Sequence, residues 1–500
     1  MADQEASFRA PSHDSVGLLA RAGAKWAVIL TLLRQVVTIG TTMVVSRYVS
    51  PEDFGIAGMV LSFAAFLVLF DTGLTWATVQ SPALNKEKVD SLFALGVFLG
   101  LFLWLGAALS GPVLTRFYGQ PGLSPVASAM GGAIFLNSLT TQPAALLKRQ
   151  LRQRTTNGID TAALFVSSVV AVVMALAGYG YWTVIIQAIA LQTVRTALLF
   201  GYSGYRPAWP ANFQVAFPEL KVGAGLALSN YICYFQLYLG GILVGRFFGG
   251  ALLGNYQKAY GVKSMPTAYG TMVITDVMVS SLAALHSDKE RMGQAYLKAL
   301  RLIAFVGCPA GAALYPLSSE VIRLLYGQQW AGAVPMLQWF ALAATALPIS
   351  TTTIWLFLAS GQVRQQLRMN VFLSALAIIC LIAAARFGNS VIDIVATESV
   401  LFAGPYLLVN IVMSHRAVGL PLLPTLRIVA PIILGSLFGA GLATWIGHQF
   451  MGIDWRLMFI AKALAGGVGY LTICALLMDR IPINIRPLRH SFNNLLRVQK

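Results

Sequence analysis

The sequence is short of charge: only 11% of its 500 residues are Asp, Glu, Lys or Arg, whereas 57% are hydrophobic. A chain so poor in charge cannot present an ordinary wetted surface, so its solvent must be lipid, in line with a mean hydropathy of +0.71. Cysteine is scarce as well. Cys233, Cys308, Cys380 and Cys474 each fall inside an apolar run, where a thiol acts as a small hydrophobe, and neither a disulfide framework nor a metal site is indicated. The five histidines, His13, His286, His415, His448 and His490, form no cluster with acids and none is expected mid-span. Strict alternation of apolar and polar residues is missing too, which argues against membrane strands. The stretch from Met1 to Ala24 carries Asp3, Glu5 and Asp14 and has no apolar core, so it reads as a cytoplasmic segment and not as a cleavable signal peptide.

What the chain has is long apolar runs along nearly its whole length. At about 20 residues per crossing these predict an all-α polytopic membrane protein with about 14 transmembrane helices. The expected organisation is a cytoplasmic segment over 1–24, a first lobe of six helices over 25–201 and a cytoplasmic linker over 202–221. A second six-helix lobe over 222–413, two further helices over 414–478 and a cytoplasmic tail over 479–500 follow. Only Gly178-Tyr179-Gly180-Tyr181 separates the fifth and sixth spans. The longest outer loop is expected from Pro316 to Val334, too short for an extramembrane domain, so no catalytic residues and no cofactor are expected.

Most of the 35 basic residues fall in the segments that alternate with this outer set, which holds only Arg47, Arg116, Arg246, Arg323, Arg386 and Arg456. The positive-inside rule then places both termini in the cytoplasm. The same sorting accounts for the net charge of +17: basic loops face anionic membrane lipids, and no nucleic-acid partner is needed.

The chain also matches itself. Val45-Ser46-Arg47-Tyr48-Val49-Ser50, followed by Phe54-Gly55, is echoed by Val244-Gly245-Arg246-Phe247-Phe248-Gly249, followed by Leu253-Gly254. Tyr118-Gly119-Gln120 is echoed by Tyr326-Gly327-Gln328, and Gln150-Leu151-Arg152 by Gln366-Leu367-Arg368. All three pair span n with span n+6, in order. Since six is even, the two lobes should run in the same direction, related by an axis along the membrane normal, with a substrate site expected near mid-membrane.

An ionisable residue within a span costs several kcal/mol on insertion scales and is a functional candidate by default. Arg34 is placed near the middle of span one, on a polar stripe with Thr31, Gln35, Thr38, Thr41 and Thr42. Span seven carries Asn230, Tyr234 and Tyr238; span eight opens with Tyr256, Lys258, Tyr260 and Lys263 before Pro266, which is expected to kink it. Arg34, Gln35, Thr38, Asn230, Tyr234, Lys258 and Lys263 are therefore the candidate substrate ligands. Asp71, Asp276 and Glu398 are candidates for coupling, each also able to pair with a nearby base. Arg195 reads as a residue that snorkels from the inner end of span six. Trp76, Trp339 and Trp355 could stack on sugar faces or anchor the helices at the interface. The cationic balance suits a diphosphate.

The block Val49-Ser50-Pro51-Glu52-Asp53-Phe54-Gly55, with Phe70-Asp71-Thr72-Gly73-Leu74 and Val79-Gln80 after it, resembles the polysaccharide-transporter (Wzx-type flippase) family. Asn255-Tyr256-Gln257-Lys258-Ala259-Tyr260 and Leu325-Tyr326-Gly327 extend the resemblance over roughly the first two thirds of the chain. It implies membership of the multidrug/oligosaccharidyl-lipid/polysaccharide exporter superfamily, with two six-helix lobes around a cavity that opens alternately to each side. The cargo it implies is an undecaprenyl-diphosphate-linked oligosaccharide, moved across the inner membrane for exopolysaccharide or O-antigen-type polymers. Membrane lipids and polymerase or export machinery are the implied partners. A cation-coupled multidrug exporter of the same superfamily would want an acidic cavity, against which Arg34 argues. A membrane polymerase or ligase would want a large outer loop with reactive side chains.

Overall fold

In hydrocarbon every backbone N–H and C=O must be satisfied within its own segment, which leaves the helix as the form open to long apolar runs. The computed structural model describes residues 13–80, 84–150, 152–208, 231, 234–285, 288–450 and 452–477, and these contain helices and no strand. In chain order the helices are α1 (His13–Tyr48), α2 (Pro51–Gln80), α3 (Lys86–Tyr118), α4 (Leu123–Arg149), α5 (Gln153–Leu176) and α6 (Trp182–Ser203). There follow α7 (residues 234–248), α8 (Gly250–Ala284), α9 (Lys289–Ala313), the short α10 (Ser318–Leu325) and α11 (Val334–Ala359). The last are α12 (Val363–Phe387), α13 (Val391–Leu401), α14 (Leu407–Val418), α15 (Leu422–Gln449) and α16 (Trp455–Leu477).

Eleven stretches among the described residues are long and apolar enough to cross a membrane. The expected span over 124–147 is not among them, that over 222–245 lies partly outside the described residues, as do several side chains of that over 251–285, and the expected number of 14 is not confirmed. Helix α4 is diluted by Ser138, Thr140, Thr141 and Gln142, which are buried by protein and need not be apolar. Helix α8 carries Asn255, Lys258 and Lys263, also buried.

Three boundaries differ from expectation. Helix α1 starts by His13, well before residue 25, because nothing in that stretch breaks a helix. The segment 316–334 is not a loop: it holds α10 and a 3-10 turn, Gln328–Ala333. The expected span over 391–413 runs on to Val418 through a π turn, Phe402–Tyr406. Pro405 within that turn has no N–H to give and its ring crowds the preceding carbonyl, which favours the extra residue. The tight connection after α5 is as short as expected, with Gly178 at φ 78° and Gly180 at φ 53° carrying the left-handed conformations it requires.

The chain forms two compact units. The first comprises Met1–Lys258, Ile322–Ala333 and Asn370–Ile394. Here α1 packs on α5, α5 on α6, and α4 against α2, α3 and α6. The N-terminal turns of α2 and α8 meet backbone to backbone. A Cβ on Gly55 would lie 1.8 Å from the Gly250 carbonyl oxygen, and one on Gly254 would lie 1.9 Å from that of Pro51. Only glycine permits such an approach. The second unit comprises Ala259–Val321, Val334–Met369 and Val395–Lys500. In it α9 packs on α11 and α15, and α15 on α16, around Tyr296, Cys308, Trp355 and Leu356. Lys462 of α16 donates to the Glu320 carboxylate (2.6 Å) and the Pro316 carbonyl (2.9 Å), tying the C-terminal helix into this unit.

Candidate functional site

In the first unit, Arg34 on α1, Asp160 on α5 and Arg195 on α6 converge. Arg195 Nε donates to Asp160 Oδ1 at 2.9 Å, and Arg34 Nη1 lies 3.8 Å from Oδ2. Arg34 Nη2 donates to Thr31 Oγ1 at 3.2 Å, one helical turn earlier. All three charged side chains are roughly a quarter exposed. Two guanidiniums offer about ten N–H donors between them, one carboxylate cannot use them all, and the cluster keeps a net positive charge. The looser grip is on Arg34: its contact to Asp160 is too long for a hydrogen bond. Gln35 is half-buried and Thr38 is exposed on the same helix.

Arg34 lies about 21 Å before Tyr48, the C-terminal end of α1, at the helical rise. Asp160 is about 10 Å from the N-terminal end of α5, and Arg195 about 12 Å from the C-terminal end of α6. Their contacts bring the three charges to one level, toward one end of α5 and of α6. Arg195 does not snorkel. Asp160 was not among the expected acids because span five was taken to begin at that residue; α5 begins at Gln153 and carries Asp160 inward. The signal that points to it is Arg195, a base in a span that needs an acid on the neighbouring helix.

Lys258 has a different setting. Its ammonium, in a side chain 7% exposed as a residue, donates to Ser46 Oγ at 2.7 Å. It faces the rings of Phe54 (3.5 Å from the centroid), Tyr326 (4.9 Å) and Trp330 (5.0 Å). Trp330 Nε1 donates to the Ser46 carbonyl at 2.7 Å, Gln329 Nε2 donates to the same oxygen, and it also reaches the Val49 carbonyl at 3.3 Å. No carboxylate contacts this ammonium among the described residues. Burying an unpaired ammonium costs several kcal/mol. Ring contacts return about 0.5–2 kcal/mol each and a charge-assisted hydrogen bond about 1.5–3 kcal/mol, so the terms nearly cancel.

In the second unit Lys263 pairs with Glu398 at 2.8 Å, both side chains buried, among the rings of Tyr260, Phe340 and Phe402. A candidate ligand and a candidate coupling acid thus meet each other. Tyr234 is buried and donates to the Ser62 carbonyl at 2.8 Å, stacked on Tyr238. Trp355 is fully buried with its N–H on Thr275 Oγ1, so it is a core residue and no platform for a sugar. Asn230 lies outside the described residues, as do the side chains of Asp71, Trp76 and Asp276.

These helices define a polytopic membrane protein. Solved structures with the same fold include the lipid II flippase MurJ in an inward closed conformation (TM-score 0.73, 14% identity, 90% of this chain and 98% of that one). An inward-facing multidrug resistance transporter of the MATE family shares it too (TM-score 0.63, 14% identity, 81% and 98%). The family model described as "Polysaccharide biosynthesis protein" matches residues 44–335. The chain belongs to that family. Relatives include the lipopolysaccharide biosynthesis protein WzxC of Escherichia coli strain K12, 24% identical over 74% of this chain and 76% of that protein. The teichuronic acid biosynthesis protein TuaB of Bacillus subtilis strain 168 is 23% identical over 68% and 71%.

Proposed function

We propose that this chain flips an undecaprenyl-diphosphate-linked oligosaccharide across the inner membrane by alternating access, for the synthesis and export of a cell-surface polysaccharide. The observation that carries the reading is the cluster of Arg34, Asp160 and Arg195. A diphosphate is a dense, planar-edged acceptor, and paired guanidiniums answer it with bidentate donors. Because Arg34 is held by a contact of 3.8 Å and one threonine, it can turn to a phosphate while Arg195 keeps its bond to Asp160. With both termini in the cytoplasm, Asp160 and Arg195 lie toward the cytoplasmic ends of α5 and α6, the side from which a lipid-linked cargo would load. Gln35 and Thr38 extend the polar face along which the head group would pass.

Several features support the reading further. The names of the relatives are those of polysaccharide biosynthesis and transport proteins. The reciprocal approach of Gly55 to Gly250 and of Gly254 to Pro51 is what two parallel repeats would make, since Pro51 matches Gly250 and Gly55 matches Gly254 in the register of the echoed motifs. A cationic multidrug cargo would be repelled by the net positive cluster. The deciding experiment deletes the gene in its host and analyses the lipid fraction by mass spectrometry. A lipid-linked oligosaccharide should accumulate, and the wild-type gene, but not one encoding Arg34→Ala, should clear it. No accumulation, with polymer output unchanged, would sink the proposal.

A further inference from the structure

We infer that Lys258 is a releasable latch, which holds the C-terminal end of α1 against the N-terminal turns of α2 and α8 and the 3-10 turn after α10, and does not bind cargo. The inference rests on the alternating-access reading above. Three stretches far apart in sequence meet at this ammonium: Ser46 to Phe54, Lys258 itself, and Tyr326 to Trp330. Ser46 is the hub, with its hydroxyl on the lysine and its carbonyl on Trp330 and Gln329. The backbone approach of Gly55 to Gly250 directly follows Phe54 on α2 and lies about two turns before Lys258 on α8. An anion could reach Lys258 only if this packing parted.

The chemistry favours release over permanence. A cation paired with a buried acid, as Lys263 is with Glu398, leaves an orphaned charge behind when it departs. Lys258 leaves only rings and a hydroxyl, which tolerate water or each other, while its ammonium gains hydration. The two arrangements are therefore close in free energy, as a switching element requires. The duplicated half of the chain lacks the device. In the register of the repeat Ser46 matches Gly245, Phe54 matches Leu253, Lys258 matches Met59 and Tyr326 matches Tyr118. Tyr118 and Leu253 do meet at Gly245, where a Cβ would lie 3.0 Å and 3.1 Å from them, and Met59 is buried. One matched corner thus holds a tyrosine and a leucine, and the other an amine.

The test reads the opening of this corner separately from transport. In a variant freed of its four native cysteines that still exports polymer, Val49→Cys places a thiol at a buried position beside the Gln329 contact. Labelling by a membrane-impermeant maleimide is followed in intact cells and in inside-out vesicles. Lys258→Met keeps length, puts at this corner the residue found at its match and removes the hydration that the ammonium gains on opening, so it should lower the labelling rate in intact cells about ten-fold. Lys258→Arg should stay within about two-fold. Trp330→Phe, which keeps a ring but loses the N–H on Ser46, should raise the rate and serves if the methionine variant fails to insert. Equal rates in all variants overturn the latch. Unchanged labelling with export lost in Lys258→Met makes the lysine a cargo ligand, overturning the latch while leaving the flippase reading intact. These changes seen only in inside-out vesicles keep the latch and overturn the topology.

Discussion

Arg34 and Lys258 are both basic residues in apolar helices, yet their surroundings ask different things of them. Arg34 is partly exposed, loosely held and accompanied by a second guanidinium, the arrangement of a residue that receives an anion. Arg34→Ala should therefore abolish polymer export, and Arg34→Lys should restore it only in part, since an ammonium keeps the charge and loses the planar fork. Immunoblots of membranes should show near wild-type amounts of both variants; normal export from a correctly inserted Arg34→Ala would make the arginine structural. Lys263 and Glu398 ask for the opposite test. Removing one partner of a buried pair leaves the other uncompensated, at about 3–5 kcal/mol, whereas removing both leaves no uncompensated charge. Lys263→Met and Glu398→Gln should each lower the melting temperature of the purified protein in detergent, and the double variant should recover most of the loss. Additive losses would show that the 2.8 Å pair contributes nothing specific.

Elements were legible to the extent that they answer to hydrophobicity. The runs that became α3, α5, α6, α9, α11 and α15 could be read from composition, and the break at Gly178 to Tyr181 from its glycines. What escaped was polarity hidden by packing. The polar middle of α4 is covered by protein, so it does not look like a span; α10 and its 3-10 turn are short, polar helices that read as a loop. Asp160 escaped for the same reason, because an acid near a helix end looks like a boundary until the helix is seen to start earlier. The echoed motifs, in contrast, led to glycines whose importance is steric. At Gly55 and Gly254 the obstruction is backbone, which cannot rotate away, so Gly55→Ala and Gly254→Ala should each cause severe loss of folded protein, and by similar amounts if the repeat is real. Gly106, within α3, has nothing within 4 Å of its Cβ position, and Gly106→Ala should be neutral or slightly stabilising. Fluorescence-detected size-exclusion profiles of green-fluorescent fusions would compare the three; a normal profile for Gly55→Ala would mean the helices can part without penalty.

For the whole molecule, charge sorting and the repeat converge on one orientation. Alternate segments carry most of the lysines and arginines, while the complementary set carries only six arginines and no lysine, and the positive-inside rule assigns the first set to the cytoplasm. Two parallel repeats need an even number of spans in each, and they then place the matched Tyr118-Gly119-Gln120 and Tyr326-Gly327-Gln328 on the same face. That face should be the external one, where the latch at Ser46 would also lie. Reporter fusions made after Asn85, Gln153 and Lys289 should accordingly be active only with a cytoplasmic reporter, and fusions after Gln120 and Gln328 only with an external one. The pair at Gln120 and Gln328 is the sharper test, because it asks one question of both halves. Opposite signals there would mean that the halves are inverted, and the loading depth assigned to Arg34, Asp160 and Arg195 would then have to be argued again from the other side of the membrane.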